Sequence, residues 1–258
     1  MKTLGIILVI GFVLLIVVGI AAFFLQGKAR KLLSVPVAEG ADGIRSAISR
    51  LNADALDLDL ALGLCENQDQ IKLLLEAGAN PMHQFGTAGF SRWSAATNAA
   101  LKGRPDALAI FLQHGVSANA RMDDAASRFG ILEYACLGGN IDCVRMLCER
   151  GAEINYKNSR GEFALLYAAA CGRLDIVEYL HEVGADVTLK DNQNRTALDW
   201  ARNTQYSDAQ FKELSRITSV LRSKLGEVVA YLESAQRRVE GGLQIVAPTG
   251  SSPSSASD

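Results

Sequence analysis

The sequence predicts an all-α chain: a solenoid of stacked helix–turn–helix units with loop or hairpin tips, a membrane-spanning helix before it and a long helix after it. Three observations predict this. A phrase recurs with drift: Asp175 to Asp186 has an earlier copy from Asp142 to Glu153, a third from Asp106 to Gly115 and a fourth from Asp69 to Asn80. Its glycines, Gly78, Gly115, Gly151 and Gly184, lie 37, 36 and 33 residues apart. A period in this range marks stacked supersecondary units in place of one globular core. Ahead of the repeats, Leu4 to Leu25 carries no charged residue. Behind them, apolar or small residues from Phe211 to Val239 recur at alternating steps of three and four.

The first 27 residues are read as the anchor. At about 1.5 Å per residue the Leu4–Leu25 helix would reach about 33 Å, enough for a bilayer core. A cleaved signal peptide has an apolar core of about 7–15 residues, shorter than this run. Lys28, Arg30 and Lys31 follow the span and Lys2 with the terminal amine precedes it, a margin of one charge that favours a cytoplasmic body. A periplasmic or other extracytoplasmic body is the alternative. The five cysteines, an odd number with no Cys-x-x-Cys pair, lean towards the cytoplasm, since free thiols suit a reducing compartment. Four of them fall where the repeat wants a small or apolar helix residue, so they are expected as buried hydrophobes.

Residues 28–56 read as a linker, Leu32 to Gly40 with Pro36, followed by a capping helix. From Gly43 to Leu51, Ile44, Ala47, Ile48 and Leu51 share one face. Such a helix covers the apolar end that a terminal repeat would expose. Residues 57–206 then hold about four full units and one partial unit. The clearest runs from Arg160 to Gln193. Phe163–Ala170 is its first helix, Cys171-Gly172-Arg173 its turn, and Leu174–Leu180 its second helix, with Ile176, Val177 and Leu180 as the core stripe. Gly184 ends that helix in left-handed geometry, which Gly adopts without strain.

These residues make the chain resemble the ankyrin repeat family. Its pattern is met by Ala168-Ala169, Gly172, Leu174-Asp175-Ile176-Val177 and Gly184-Ala185-Asp186-Val187, and again by Gly139-Asn140-Ile141-Asp142 and Gly151-Ala152-Glu153-Ile154-Asn155. Thr196-Ala197-Leu198-Asp199-Trp200-Ala201 opens a further unit. The family's Thr-Pro-Leu-His opening is degraded to Ser94-Ala95-Ala96-Thr97, Gly130-Ile131-Leu132-Glu133 and Phe163-Ala164-Leu165-Leu166, and the first unit has Glu66-Asn67 in place of the turn glycine.

Residues 207–240 form the expected C-terminal amphipathic helix, which Ser207 and Asp208 are placed to cap. Two readings are open. A strict heptad seam would make a self-associating coiled coil. Ile217, Val220, Val229 and Tyr231 widen the stripe, as in a helix lying against the last repeat. Residues 241–258 turn to Gly, Pro and Ser and are expected to be disordered.

No catalytic constellation, metal site or cofactor motif is present in the sequence. His83, His114 and His181 sit at unrelated repeat positions, the latter two near helix ends where a cation complements the dipole. A net charge of -2 gives no reason to expect nucleic-acid binding. The resemblance implies a non-catalytic role in protein–protein interaction, here as a membrane-anchored tether or scaffold. An exported protective protein, giving toxin immunity or resisting envelope stress through the same face, is the alternative, and topology separates the two. The resemblance places partner-binding residues at loop tips and first-helix faces: Arg92, Trp93, Arg128, Phe129, Arg160, Glu162, Asn192, Gln193 and Arg195. Trp and Arg are enriched at binding hot spots.

Overall fold

The structure is a computed structural model that describes residues 27–85, 93–122, 129–202 and 224–241. The Leu4–Leu25 run lies outside the described residues, and among those described no helix is long and apolar enough to cross a membrane. The described chain is helical, with two isolated antiparallel bridges and no longer strand pairing among these residues. It falls into two compact units. The first holds the described residues up to Ala99 together with Asp106–Val116; the second holds Ala100–Pro105 and the described residues from Ser117 onward.

In the first unit, residues 27–33 are helical and a single 3-10 turn, Val37–Glu39, leads into α1 (Gly40–Leu51). The stretch read from sequence as a linker is thus packed: Ala29, Leu32 and Val35 are buried. Gln70 clamps it by donating its amide to the carbonyls of Leu33 at 2.8 Å and Val35 at 3.2 Å. Its apolar residues are few and interleaved with Lys28, Arg30 and Lys31, so no apolar stripe announces its packing. On α1, Ile44 and Ala47 are buried and Ile48 is half-buried, and the helix packs on α3 (Gln68–Glu76).

Between them α2 (Ala55–Leu64) starts with a reciprocal capping box. The Asp57 N–H donates to Asp54 Oδ1 at 2.9 Å and the Asp54 N–H to Asp57 Oδ2 at 3.1 Å. Where the turn glycine is missing, Asn67 takes over, its side chain accepting from the N–H groups of Asp69 and Gln70 at the start of α3. α4 (Ala95–Leu101) begins with a second reciprocal pair, Ser94 and Thr97, both fully buried. The core of α5 (Pro105–Gln113) is supplied by Ala107, Leu108, Ile110 and Phe111.

The second unit contains α6 (Ile131–Gly138), α7 (Ile141–Glu149), α8 (Ala164–Ala170), α9 (Leu174–Glu182), α10 (Ala197–Arg202) and α11 (Leu225–Glu240). α8 packs between α6 and α10, and Ala164 to Ala169 are all buried. Its alanines let neighbours approach closely. At Gly138 the approach is tighter still, because an added Cβ would lie 2.3 Å from the Leu101 carbonyl oxygen. Ile176, Val177 and Leu180 are wholly buried, as the stripe predicts, and Gly184 ends the hairpin at φ +103.

Asparagines tie successive repeats of this unit together. Asn119 donates to the Gly151 carbonyl at 3.0 Å and accepts from the Glu153 N–H at 2.8 Å. Asn155 does the same one repeat on, to the Gly184 carbonyl and from the Asp186 N–H, both at 3.0 Å.

The expected C-terminal helix is described from Lys224 onward, where α11 starts at Leu225. Gly226 in the first turn weakens helix continuity there. Val228, Leu232 and Ala235 are buried, and α11 lies on α10 and α9. Tyr231 reaches the His181 ring at 2.9 Å, and Arg202 pairs with Glu233 at 2.6 Å. This is the packing expected of a helix that covers the last repeat. Ser207, Asp208 and the stripe from Phe211 to Leu221 lie outside the described residues, as does the tail beyond residue 241.

Candidate interaction surface

The loop tips are built from the repeat register. Asn158 and Asp191 stand 33 residues apart and do the same work. The Asn158 Oδ1 accepts from the Arg160 and Glu162 N–H groups, each at 2.9 Å. The Asp191 Oδ1 accepts from the Gln193 and Arg195 N–H groups, each at 2.9 Å. Short polar side chains fold a turn in this way by standing in for backbone partners.

Each tip is then fastened to the helix behind it by an aromatic residue in equivalent positions. The Tyr167 hydroxyl donates to Glu162 Oε2 at 2.6 Å, where the Asn158 amide also donates at 2.9 Å. The Trp200 indole N–H donates to Asp191 Oδ2 at 2.9 Å, and Arg195 pairs with the same oxygen at 2.7 Å. Neighbouring tips are joined as well: the Asn192 N–H donates to the Arg160 carbonyl at 3.2 Å, the Asn192 amide to the Ser159 carbonyl at 3.1 Å, and Lys157 Nζ to the Lys190 carbonyl at 2.7 Å.

Burial would raise Asp191, but hydrogen bonds from Arg195, Trp200 and Gln193 outweigh it and hold the carboxyl below its ordinary range. Burial, reinforced by the adjacent Glu162 charge, raises the Tyr167 hydroxyl well above the usual tyrosine range, so it stays a donor. One tip backbone is therefore fixed by the Asp191 carboxylate, and the other by the Asn158 amide, which the inward-turned Glu162 carboxylate holds in place.

The nine sequence-predicted residues divide accordingly. Arg92 and Arg128 lie outside the described residues. Asn192 and Gln193 are exposed, and Arg160 is half-buried with its backbone carbonyl taken by Asn192. Arg195 is half-buried, paired with Asp191 and seated 5.0 Å from the Trp200 ring.

Of the other three, Glu162 and Phe129 are buried and not presented at the surface as expected, and Trp93 is half-buried. Glu162 is buried inside the tip it helps to fold. Phe129 is buried, its ring 5.6 Å from Tyr134 and 5.2 Å from Tyr167. Trp93 pairs backbone to backbone with Phe85, and its ring lies over Gly63, where a Cβ would meet it at 2.5 Å. An aromatic beside a loop gains more by covering apolar surface than by facing water.

The exposed cations Lys157 and Lys190 were missed by the sequence reading, although they too stand 33 residues apart and comparison at that spacing reveals them. Beside Arg195, the residues Asn194, Asp199 and Arg202 line an open, shallow depression.

Elsewhere the titratable groups serve the fold. Glu133 is buried at the start of α6, accepting from the Gly130 N–H and its own, and burial raises it to about 7. Cys65, Cys136, Cys143 and Cys171 are buried and in no disulfide. Desolvation pushes Cys136 well above the ordinary thiol range and Cys148 and Cys171 up to about 11, which makes poor nucleophiles of all three. His181 is lowered by burial and then by Arg238, so the dipole-complementing cation expected there is disfavoured. Among the described residues no cluster of His, Cys, Asp or Glu is arranged to hold a metal ion.

Stacked helical pairs with rigid, polar tips define a repeat protein of the kind that binds other macromolecules. The chain belongs to the ankyrin repeat family: one family model, ankyrin repeats in three copies, matches residues 60–158, and a second, ankyrin repeats in many copies, matches residues 154–201. Comparison with curated proteins finds no match. Ankyrin repeats are protein–protein interaction units, and no enzyme family is matched.

Proposed function

We propose that this chain is a membrane-anchored, non-catalytic tether that holds a partner protein at the tips of its last two repeats, with the repeat body in the cytoplasm. One observation carries the binding site: the Asn158 amide oxygen and the Asp191 carboxylate fix the backbone of their tips, and the buried Glu162 carboxylate holds Asn158 in place, which leaves the exposed Lys157, Lys190, Asn192 and Gln193 on a rigid frame. Rigid presentation lowers the ordering cost of binding. The uncharged Leu4–Leu25 run supports the anchor, and the basic residues after it together with the free thiols support the cytoplasmic side.

The test places a photo-crosslinking residue at Gln193 of the full chain in cells. A discrete protein adduct in the membrane fraction, lost in a Lys157→Glu/Lys190→Glu variant of unchanged helicity, is the expected result. No adduct above the unirradiated control overturns the tip site. A compartment-sensitive reporter at the C-terminus decides the side of the membrane, and activity on the outer side overturns the cytoplasmic placement.

A further inference from the structure

The first described residues of the first unit follow closely on the uncharged Leu4–Leu25 run. If Leu4–Leu25 crosses the bilayer, Lys28 follows its last residue by less than about 5 Å of helix rise. The headgroup layer is about 5–8 Å thick on each side. Residues 27–33 are helical and their apolar side, Ala29 and Leu32, is buried in the first unit. Lys28 Nζ donates to the Asn52 carbonyl at 2.9 Å and lies 3.5 Å from the Asp57 carboxylate. Asp57 is fully buried and its Oδ1 has no hydrogen-bond partner, so Lys28 is its counter-charge and cannot leave without stranding it. Gln70 holds the next turn through the Leu33 and Val35 carbonyls. On the anchored reading, these contacts would set the corner between α1 and α2 at headgroup depth.

What that edge exposes is basic: Arg30 and Lys31 on the first helical turns and Arg50 at the end of α1. Asp54, exposed beside them, has its Oδ1 engaged by the Asp57 N–H. We propose that this edge, residues 27–33 with the Arg50–Ala55 corner, is a lipid-facing surface that binds anionic phospholipid headgroups where the anchor leaves the bilayer. Basic residues next to a span are attracted to anionic leaflets within a Debye length. The inference rests on the anchored reading of Leu4–Leu25 and adds to it a second contact, which fixes how the body stands on the membrane.

The test uses the full chain in nanodiscs of phosphatidylcholine alone or with phosphatidylglycerol, carrying p-benzoylphenylalanine in place of the exposed Ala55. Photo-adducts to lipid should form several-fold more in the anionic discs. Arg30→Gln/Lys31→Gln/Arg50→Gln should bring the yield down to that of neutral discs, and Arg50→Gln alone, on α1 and outside the anchor, should lower it part of the way at unchanged circular dichroism. Equal yields in the two lipids, with the chain co-eluting with the discs, overturn the headgroup surface and leave the anchor standing. A chain that does not enter the discs overturns both.

Discussion

The buried hydroxyl of Tyr167 donates to the buried carboxylate of Glu162 at 2.6 Å, so a tip loop and the helix behind it share one hydrogen bond. Tyr167→Phe leaves the carboxylate with the Asn158 amide as its side-chain donor. The expected cost is about 1–3 kcal/mol, the penalty for a buried group that loses a partner. A fall in the urea midpoint without a change in slope checks it.

Glu133 gives the fold a pH dependence of unusual sign. Its folded value of about 7 lies above the ordinary 4.5, so the folded state binds more protons between these values. Stability from this group is therefore greatest at low pH and falls as pH rises from about 4.5 to 7. Glu133→Gln, which keeps an acceptor for the Gly130 N–H, should raise stability at pH 8 by up to about 3 kcal/mol and flatten that part of the profile. Thermal unfolding of both proteins between pH 5 and 8 tests this.

Two glycines should fail for different reasons. Gly184→Ala meets no neighbour within 4 Å, so its cost is the φ of +103 alone, about 1–2 kcal/mol. Gly184→Val should cost more, because a β-branched residue tolerates that region least. Gly138→Ala has ordinary backbone geometry but drives a methyl group against the Ala100 and Leu101 carbonyls, and should cost about 1–3 kcal/mol, the usual range for overpacking. Denaturation of the three variants separates backbone strain from packing.

Ending the chain at Lys224 removes α11 and bares the surface that Val228, Leu232 and Ala235 cover. The covering role predicts a lower melting temperature and self-association in sedimentation; a stable monomer replacing a dimer would instead identify a coiled-coil seam. Mild acid should loosen the same helix. His181, facing Tyr231, Arg238, Glu182 and Glu178, has a lowered folded value, so the unfolded state takes up the proton first. The stability it contributes is present above about pH 6.5 and is lost as pH falls below it. In the full chain, tyrosine absorbance or a label on α11 should follow that loss, and His181→Gln should remove it.

The repeat helices were legible because their signal is local. Ile176, Val177, Leu180 and Gly184 announce a helix face and its end within ten residues, and the structure buries or bends each of them accordingly. The tips were legible only as positions. Phe129 and Glu162 are residue types that suit a wet tip or a dry one, and which they meet depends on Tyr167, brought beside them by folding. Residues 29–35 escaped notice because Ala29, Leu32 and Val35 offer too little apolar surface to announce packing; the clamp from Gln70 comes from about 35 residues away.

Asn119 and Asn155 give the second unit a built-in reporter. The amides of Glu153 and Asp186 belong to exposed loop residues, yet each is held by an asparagine of the preceding repeat. Their hydrogens can exchange with solvent only when two repeats part. The exchange rates of these two loop amides should therefore measure the opening of repeat junctions, one junction each, in a region where exposure alone would predict immediate exchange.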